Sequence, residues 1–190
     1  MLNFILGGAR SGKSRFAENL ATEQEAQGQT VFYIATAQRE RRNEQGEKTV
    51  DKEMAQRIAQ HQSDRPDHWQ TLESPLQLSK TLRSLDKPNH CILVDCLTLW
   101  TLNVLEADCF EDEKHALLTT LPTLTAEVIL VSNEVGMGIV PLGEFTRQYV
   151  DELGRLHQEL GTLSDKMAFI IAGQPLWFKQ SLTRPGQTQL

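Results

Sequence analysis

The sequence predicts an α/β protein in which helices cover both faces of a mostly parallel β-sheet. Two features of its 190 residues predict this class. Apolar runs of strand length alternate with segments of helical spacing, and a glycine-rich loop joins the first run to the first helical segment. The length fits one domain, which we place at residues 1–180, followed by a dispensable tail at residues 181–190.

The first strand and helix are joined by a phosphate-binding loop. The run LNFIL is followed by GGARSGKS, which fits the pattern G-x-x-x-x-G-K-[ST] from Gly7 to Ser14. Small residues let backbone N–H groups surround an anion, and the following helix adds the positive end of its dipole. We expect Lys13 to reach the β- and γ-phosphates and the Ser14 hydroxyl to bind the accompanying Mg²⁺. The alternative is a turn that binds nothing, but the strand, loop and helix context favours a P-loop NTPase.

The second strand follows the first helix. Helical spacing extends over about residues 13–26 and is broken at Gly28. The β-branched and aromatic run TVFYIAT then predicts a buried strand. The polar segment AQRERRNEQGEKT, with its clustered arginines, predicts an exposed loop near the nucleotide side of the sheet.

The next predicted helix carries a histidine at the edge of its apolar stripe. In DKEMAQRIAQHQ, Met54, Ile58 and His61 have i, i+4, i+7 spacing, and Pro66 follows as a helix breaker. A neutral imidazole is a competent nucleophile near pH 7, so His61 is a candidate for covalent catalysis. Packing at the boundary of the core is the alternative, and the spacing alone favours it.

A second candidate metal ligand ends another strand. HCILVDCLTLW predicts an apolar strand that ends at Asp95, in the form of a Walker B segment whose carboxylate meets the magnesium shell. An aspartate after a strand is often only a turn residue. The P-loop favours the functional interpretation, in which Asp95 acts together with Ser14.

The remaining segments continue the alternation. A helical stretch is predicted at about residues 106–121, and EVILVSNEVGMGIVP predicts a buried strand and a glycine-bearing loop. FTRQYVDELGRLHQELGTL predicts a long helix, and MAFIIAG predicts the last strand.

Composition narrows the class of ligand and the location. A formal net charge of −6 argues against nonspecific nucleic-acid binding, so we expect a small ligand. The three cysteines lack C-x-x-C spacing and the histidines lack helical H-x-x-x-H pairs, which predicts reduced thiols and no zinc site. The apolar runs are too short to span a membrane, and the first residues lack signal-peptide features, so we expect a cytoplasmic protein.

A more specific resemblance is carried by six strings in order along the chain: GGARSGKSRFAE, IATAQ, DKEMAQRIAQHQSDRPDHWQTLE, VDCLTLW, SNEVGMGIVP and AGQPLWFK. Together they resemble the adenosylcobinamide kinase/adenosylcobinamide-phosphate guanylyltransferase family. The resemblance implies an enzyme of cobalamin biosynthesis that phosphorylates the aminopropanol hydroxyl of adenosylcobinamide. It then transfers GMP from GTP onto that phosphate and releases diphosphate. The resemblance also implies GTP and ATP as substrates, a RecA-like fold with one antiparallel strand, and a homotrimer.

Site residues follow from the same resemblance, with His61 carrying GMP covalently and Lys13 acting with it in catalysis. The implied nucleotide-binding residues are Gly7, Gly8, Ala9, Arg10, Ser11, Gly12, Lys13, Ser14, Ala35, Thr36, Ala37, Gln62, Ser63, Asp64, Arg65, Glu73 and Asp95. Two departures from the family pattern stand out. The arginine-rich segment from Arg39 to Lys48 is longer than expected, and His157 stands where the family usually has asparagine.

Two other functions use the same loop. A small-molecule kinase would need Lys13, Ser14 and Asp95 but not His61, and it would carry no covalent nucleotide. A nucleotide-dependent switch or assembly ATPase of RecA type would hydrolyse nucleotide in response to a partner, although the sequence lacks the basic surface typical of DNA-binding members. The sequence leaves open the nucleotide of the kinase step and the base for the cobinamide hydroxyl.

Overall fold

The computed structural model describes residues 1–38 and 66–180, together with the backbone of residues 41–42 and 48–49. The strands of this part are β1 (Leu2–Gly7), β2 (Thr30–Ala35), β3 (Arg41–Arg42), β4 (Lys48–Thr49), β5 (Gln70–Glu73), β6 (His90–Asp95), β7 (Glu127–Asn133), β8 (Lys166–Ile171) and β9 (Gln174–Lys179). Its helices are α1 (Lys13–Ala26), α2 (Leu78–Leu85), α3 (Leu97–Glu106), α4 (Phe110–Thr120) and α5 (Glu144–Leu163). The helix predicted at residues 51–62 and the tail at residues 181–190 lie outside the described residues.

A seven-stranded sheet forms the centre of the fold, in the order β5-β2-β6-β7-β1-β8-β9. Strand β1 lies between β7 and β8 and is parallel to both, and β2, β5 and β6 also pair in parallel. Only β9 of this sheet runs antiparallel, alongside β8. The prediction of a mostly parallel sheet is therefore confirmed.

The two faces of the sheet are covered by different helices, which confirms the predicted layering. Phe4 and Ile5 are both fully buried but belong to separate clusters, because neighbouring side chains of a strand point to opposite faces. On the Ile5 face, the sheet packs against Ala17 and Ala21 of α1. On the Phe4 face, it packs against apolar side chains from the other four helices: Leu78, Leu82, Leu97, Trp100, Val104, Phe110, Leu117, Leu153, Leu156 and Leu160.

Several boundaries differ from the sequence predictions. The helical stretch predicted at residues 106–121 corresponds to α4 (Phe110–Thr120). A further helix, α3, precedes it and begins at Leu97. The strand predicted to be last is β8, and β9 follows it. The polar segment predicted as a loop contains the antiparallel pair β3 and β4. Strand β5 and helix α2 were not predicted. Strand β5 is short and mostly exposed, so it has no buried apolar run.

The sequence predicts no membrane span, because its apolar runs are too short. Among the helices of the described residues, none combines the length and the apolar character that crossing a membrane requires.

Candidate nucleotide-binding and phosphoryl-transfer site

Four of the predicted site residues end parallel strands at one edge of the sheet. Gly7, Ala35, Glu73 and Asp95 are the last residues of β1, β2, β5 and β6. These strands are parallel, so their carboxyl ends lie at the same edge, which is where open α/β sheets bind ligands. The structure thus brings together residues that the sequence separates by up to 88 positions.

The P-loop forms a tight turn between β1 and α1. Ser11 donates its backbone N–H to the Gly8 carbonyl at 3.2 Å, and Gly12 has a φ of 92°, which favours glycine. A Cβ on Gly7 would lie 2.5 Å from Ser11 Oγ and 2.8 Å from the Ile170 carbonyl oxygen. Close packing within the protein therefore requires glycine at position 7. The contacts of Gly8, Ala9, Arg10, Ser11 and Gly12 with phosphate stay a prediction.

Lys13 is the first residue of α1 and is 9% exposed. Its Nζ donates to the Gly8 carbonyl at 3.4 Å, so the ammonium group lies against the loop rather than in bulk water. A cation held at the N-terminus of a helix beside inward-facing amides creates a strongly anion-attracting site. The predicted contact of Lys13 with the β- and γ-phosphates stays a prediction.

The magnesium ligands predicted from the sequence are hard oxygen donors. Ser14 lies in the first turn of α1, and Asp95 ends β6. Tyr33 donates its phenolic O–H to Asp95 Oδ2 at 3.0 Å, which orients the carboxylate. One hydroxyl and one carboxylate suit Mg²⁺, since this ion takes one or two protein ligands and completes its shell with water and phosphate oxygens. The donor set therefore fits the implied ion.

Thr36 has a different environment from the one its predicted role suggests. Its side chain is fully buried, accepts from the Cys96 backbone N–H at 2.9 Å and donates to the Cys96 carbonyl at 2.7 Å. The peptide bond between Asp95 and Cys96 is cis. Asn103 donates to the Thr36 carbonyl at 2.8 Å. Thr36 thus joins the ends of β2 and β6, next to Ala37, and its contact with nucleotide stays a prediction.

Glu73 and the segment from His61 to Arg65 are predicted site residues that the structure does not place beside the P-loop. Glu73 is exposed at the end of β5, on the same edge of the sheet as the P-loop but at the far end of the sheet from β1. The predicted nucleophile and its neighbours lie outside the described residues: His61, Gln62, Ser63, Asp64 and Arg65.

Sequence reasoning singled out no site residue on β7, although this strand separates β1 from β6. Asn133 pairs in register with Gly7, and Glu134 donates its backbone N–H to the Gly7 carbonyl at 3.1 Å. Both residues therefore lie beside the P-loop. The signal that could have found them is the run of three polar residues, Ser132, Asn133 and Glu134, directly after EVILV.

The predicted chemistry does not use the cysteines or His157. All three cysteines are free, and burial raises the pKa of Cys91 to about 12 and that of Cys96 to about 11. Both thiols are thus protonated and unreactive near neutral pH. His157 is buried on α5, and it reaches the end of β7.

Sheet order, the P-loop and the strand-end carboxylates define a P-loop nucleotide-binding protein of RecA-like fold. A solved KaiC-like protein from Pyrococcus horikoshii has the same fold, with a TM-score of 0.51 and 15% identity over 98% of this chain and 82% of that one. Residues 3–178 match the cobinamide kinase / cobinamide phosphate guanyltransferase (CobU) family, and the chain belongs to this family.

Two curated relatives have similar length. The bifunctional adenosylcobalamin biosynthesis protein CobP of Pseudomonas aeruginosa is 50% identical over 182 residues, which covers 94% of this chain and 98% of the relative. The bifunctional adenosylcobalamin biosynthesis protein CobU of Escherichia coli is 34% identical over 189 residues, covering 91% of this chain and 97% of the relative. The resemblance stated from the motifs is therefore confirmed.

Proposed function

We propose that this chain phosphorylates the hydroxyl of adenosylcobinamide and then transfers GMP from GTP to the resulting phosphate, releasing diphosphate. The observation that carries the proposal is the P-loop, in which buried Lys13 faces the Gly8 carbonyl, at the same sheet edge as Asp95. Membership of the family adds the acceptor and the second reaction. ATP and GTP are the nucleotide substrates of the proposal.

The kinase step requires little beyond this edge. The acceptor hydroxyl attacks the γ-phosphorus, the bond from that phosphorus to the β-γ bridging oxygen breaks, and nucleoside diphosphate leaves. Lys13 and the loop amides stabilise negative charge on the phosphates as it moves toward the leaving group. Mg²⁺, held by Ser14 and Asp95, would neutralise phosphate charge when bound.

The GMP transfer requires a second nucleophile, because it breaks the triphosphate at the α-phosphorus. In our proposal an imidazole nitrogen of His61 attacks this atom, forms a phosphoramidate and releases diphosphate. An oxygen of adenosylcobinamide phosphate then attacks the same phosphorus, the P–N bond breaks, and the imidazole is regenerated. Arg65 would hold the phosphates and Glu73 a sugar hydroxyl or base edge, with the remaining predicted residues lining the nucleotide pocket.

We further propose a homotrimer in the cytoplasm, where nucleoside triphosphates are available. Four apolar side chains after β7 support a contact surface: Met137, Ile139, Val140 and Leu142 are 80%, 97%, 73% and 97% exposed. A monomer rarely leaves such a patch uncovered. Light scattering on the native protein and on Leu142→Glu tests this, with a trimer that dissociates as the expected result.

The test of the main proposal is covalent labelling. Protein incubated with Mg²⁺ and α-labelled GTP, then denatured, should retain a label that is lost in mild acid and survives base, whereas γ-labelled GTP should leave none. His61→Ala should abolish the label, while His115→Ala, a change at an exposed histidine of α4, should not. Label that persists in His61→Ala, or that maps elsewhere, contradicts the histidine assignment.

A small-molecule kinase without the guanylyltransferase step is the second candidate function. The complete P-loop supports it, since Lys13, Ser14 and Asp95 alone suffice for transfer of a γ-phosphate. Phosphorylated corrinoid without any covalent GMP or GMP transfer in the native protein would favour this candidate.

A further inference from the structure

The backbone of Glu134 is bonded to the start of the P-loop. This residue follows β7 directly, and its backbone N–H is bonded to Gly7, the first residue of the loop. Among the carboxylates that end the described parallel strands, Asp95 is two strands from β1 and Glu73 is four strands away. Glu134, by contrast, extends from the strand adjacent to β1. Of these three carboxylate residues, Glu134 is thus the one whose backbone is bonded directly to the P-loop strand.

The Glu134 carboxylate is oriented from two sides and remains accessible. Oε1 accepts the Gly136 backbone N–H at 2.6 Å, and Oε2 lies 3.8 Å from His157 Nδ1. The Glu134 side chain is 21% exposed. A substrate hydroxyl arriving from solvent can therefore reach a carboxylate whose direction is already set.

His157 is held by hydroxyls behind it. Its Nε2 lies 2.8 Å from the Ser132 Oγ, which lies 3.2 Å from the Thr98 Oγ1. If Nε2 carried the proton of a neutral ring, the lone pair of Nδ1 would face the carboxylate and repel it. The favoured tautomer is therefore Nδ1–H, with Ser132 donating to Nε2.

The imidazole orients Glu134 without adding charge. Burial lowers the pKa of His157 to about 4, although the negative charge of Glu134 acts in the opposite direction. The ring is therefore neutral near pH 7 and does not cancel the charge that a proton-accepting carboxylate requires.

We propose that Glu134 is the general base of the kinase step and that His157 positions it, an inference that rests on the proposed phosphorylation of adenosylcobinamide. As the acceptor oxygen bonds to the γ-phosphorus, its proton passes to a Glu134 carboxylate oxygen, and the nucleoside diphosphate leaves with the electrons of the broken bond. GMP transfer does not need this base, because its acceptor is an ionised phosphate.

Glu134→Gln is the principal test, since glutamine retains an oxygen for the Gly136 N–H. We expect kcat for adenosylcobinamide phosphorylation to fall by about 100-fold or more, which is the range of general base catalysis. Binding of a fluorescent GTP analogue and GMP transfer onto supplied adenosylcobinamide phosphate should be unchanged. Glu127→Gln, the same change at the opposite end of β7, is the control and should retain both activities.

Unchanged phosphorylation in Glu134→Gln would overturn the inference. Loss of nucleotide binding or of GMP transfer along with phosphorylation would also overturn it, because the carboxylate would then support the pocket rather than accept a proton. Failure of the proposed phosphorylation is distinguishable, since the native protein itself would then not phosphorylate adenosylcobinamide.

His157 variants test the positioning role. His157→Leu should lower kcat for phosphorylation while leaving the KM for adenosylcobinamide unchanged, because the base is misdirected and the acceptor pocket is intact. His157→Asn keeps an N–H donor and should recover most of the lost kcat. Equal kcat values in the leucine variant and the native protein, or no recovery with asparagine, would contradict the role of His157.

Discussion

The hydroxyl of Thr36 is hydrogen-bonded to both backbone groups of Cys96, accepting from its N–H at 2.9 Å and donating to its carbonyl at 2.7 Å. Cys96 immediately follows Asp95, so one buried threonine fixes the backbone that carries the predicted metal ligand. The family resemblance implies that Thr36 binds nucleotide, yet its side chain is fully buried.

Thr36→Val should therefore destabilise the protein. The substitution keeps the shape but leaves the buried Cys96 N–H without its partner, which costs about 1–3 kcal/mol. The Cys96 carbonyl still accepts the Trp100 backbone N–H at 3.2 Å. The free energy of unfolding in urea measures this loss. Thr36→Ser retains the hydroxyl and should lose much less, so equal losses in the two variants would contradict the role of the hydrogen bonds.

Lys13→Ala should remove triphosphate binding and depress both activities, because either reaction uses the charge held at the P-loop. We expect kcat/KM for phosphorylation to fall by about 100-fold or more. A turnover assay measures this loss, and binding of a fluorescent GTP analogue measures the loss of triphosphate affinity. Lys179→Ala is a matched control, since that ammonium also donates to backbone carbonyls but at the end of α5. Normal turnover in a folded Lys13→Ala protein would rule out this use of the lysine.

Asp95→Asn should raise the Mg²⁺ concentration needed for half-maximal activity while leaving the fold intact. The amide oxygen can still accept from Tyr33, but one negative charge is lost from the predicted metal shell. We expect an increase of at least ~10-fold, the lower end of the effect of altering a metal site. A magnesium titration measures it, with Asp112→Asn on α4 as an exposed control. An unchanged titration would remove Asp95 from the site.

Stability should fall with acid through the titration of His157. The folded-state pKa of about 4 lies below the ordinary value of 6.5, so the unfolded chain binds the proton more readily. This contribution to stability is fully present above about pH 6.5 and lost as the pH falls toward 4, by about 3 kcal/mol in total. Denaturant unfolding at several pH values measures it. His157→Asn should show a shallower decline, and an identical decline would assign the acid sensitivity to other groups.

Local signals made part of the site predictable. The P-loop is a contiguous pattern whose residues act through neighbouring backbone groups, and Asp95 ends a run of apolar residues. The parallel sheet then brings such strand ends together without further information. The predicted contacts of His61 and of residues 62–65 stay predictions, because these residues lie outside the described part of the chain.

Other features depend on tertiary context. The apolar residues after Asp95 belong to α3, where Leu97 and Trp100 are buried. Apolar composition alone does not distinguish a strand from a buried helix, so the sequence did not indicate this helix. Strand β9 is largely exposed and gave no continuous apolar run. The contact between Glu134 and His157 joins a strand end to the middle of a helix, so no short pattern could indicate it.

The place of β1 between β7 and β8 has a consequence for folding of the chain during its translation. The P-loop leaves the ribosome before either strand that flanks β1, since β7 begins at Glu127 and β8 at Lys166. The Ser11 carbonyl also accepts the backbone N–H of Gly173 at 2.8 Å, and a Cβ on Gly12 would lie 3.2 Å from Gly173 Cα. Nascent chains that stop short of these partners leave the apolar strand β1 unpaired and exposed to aggregation. The packing of the P-loop is thus complete only after the hairpin of β8 and β9 has been synthesised.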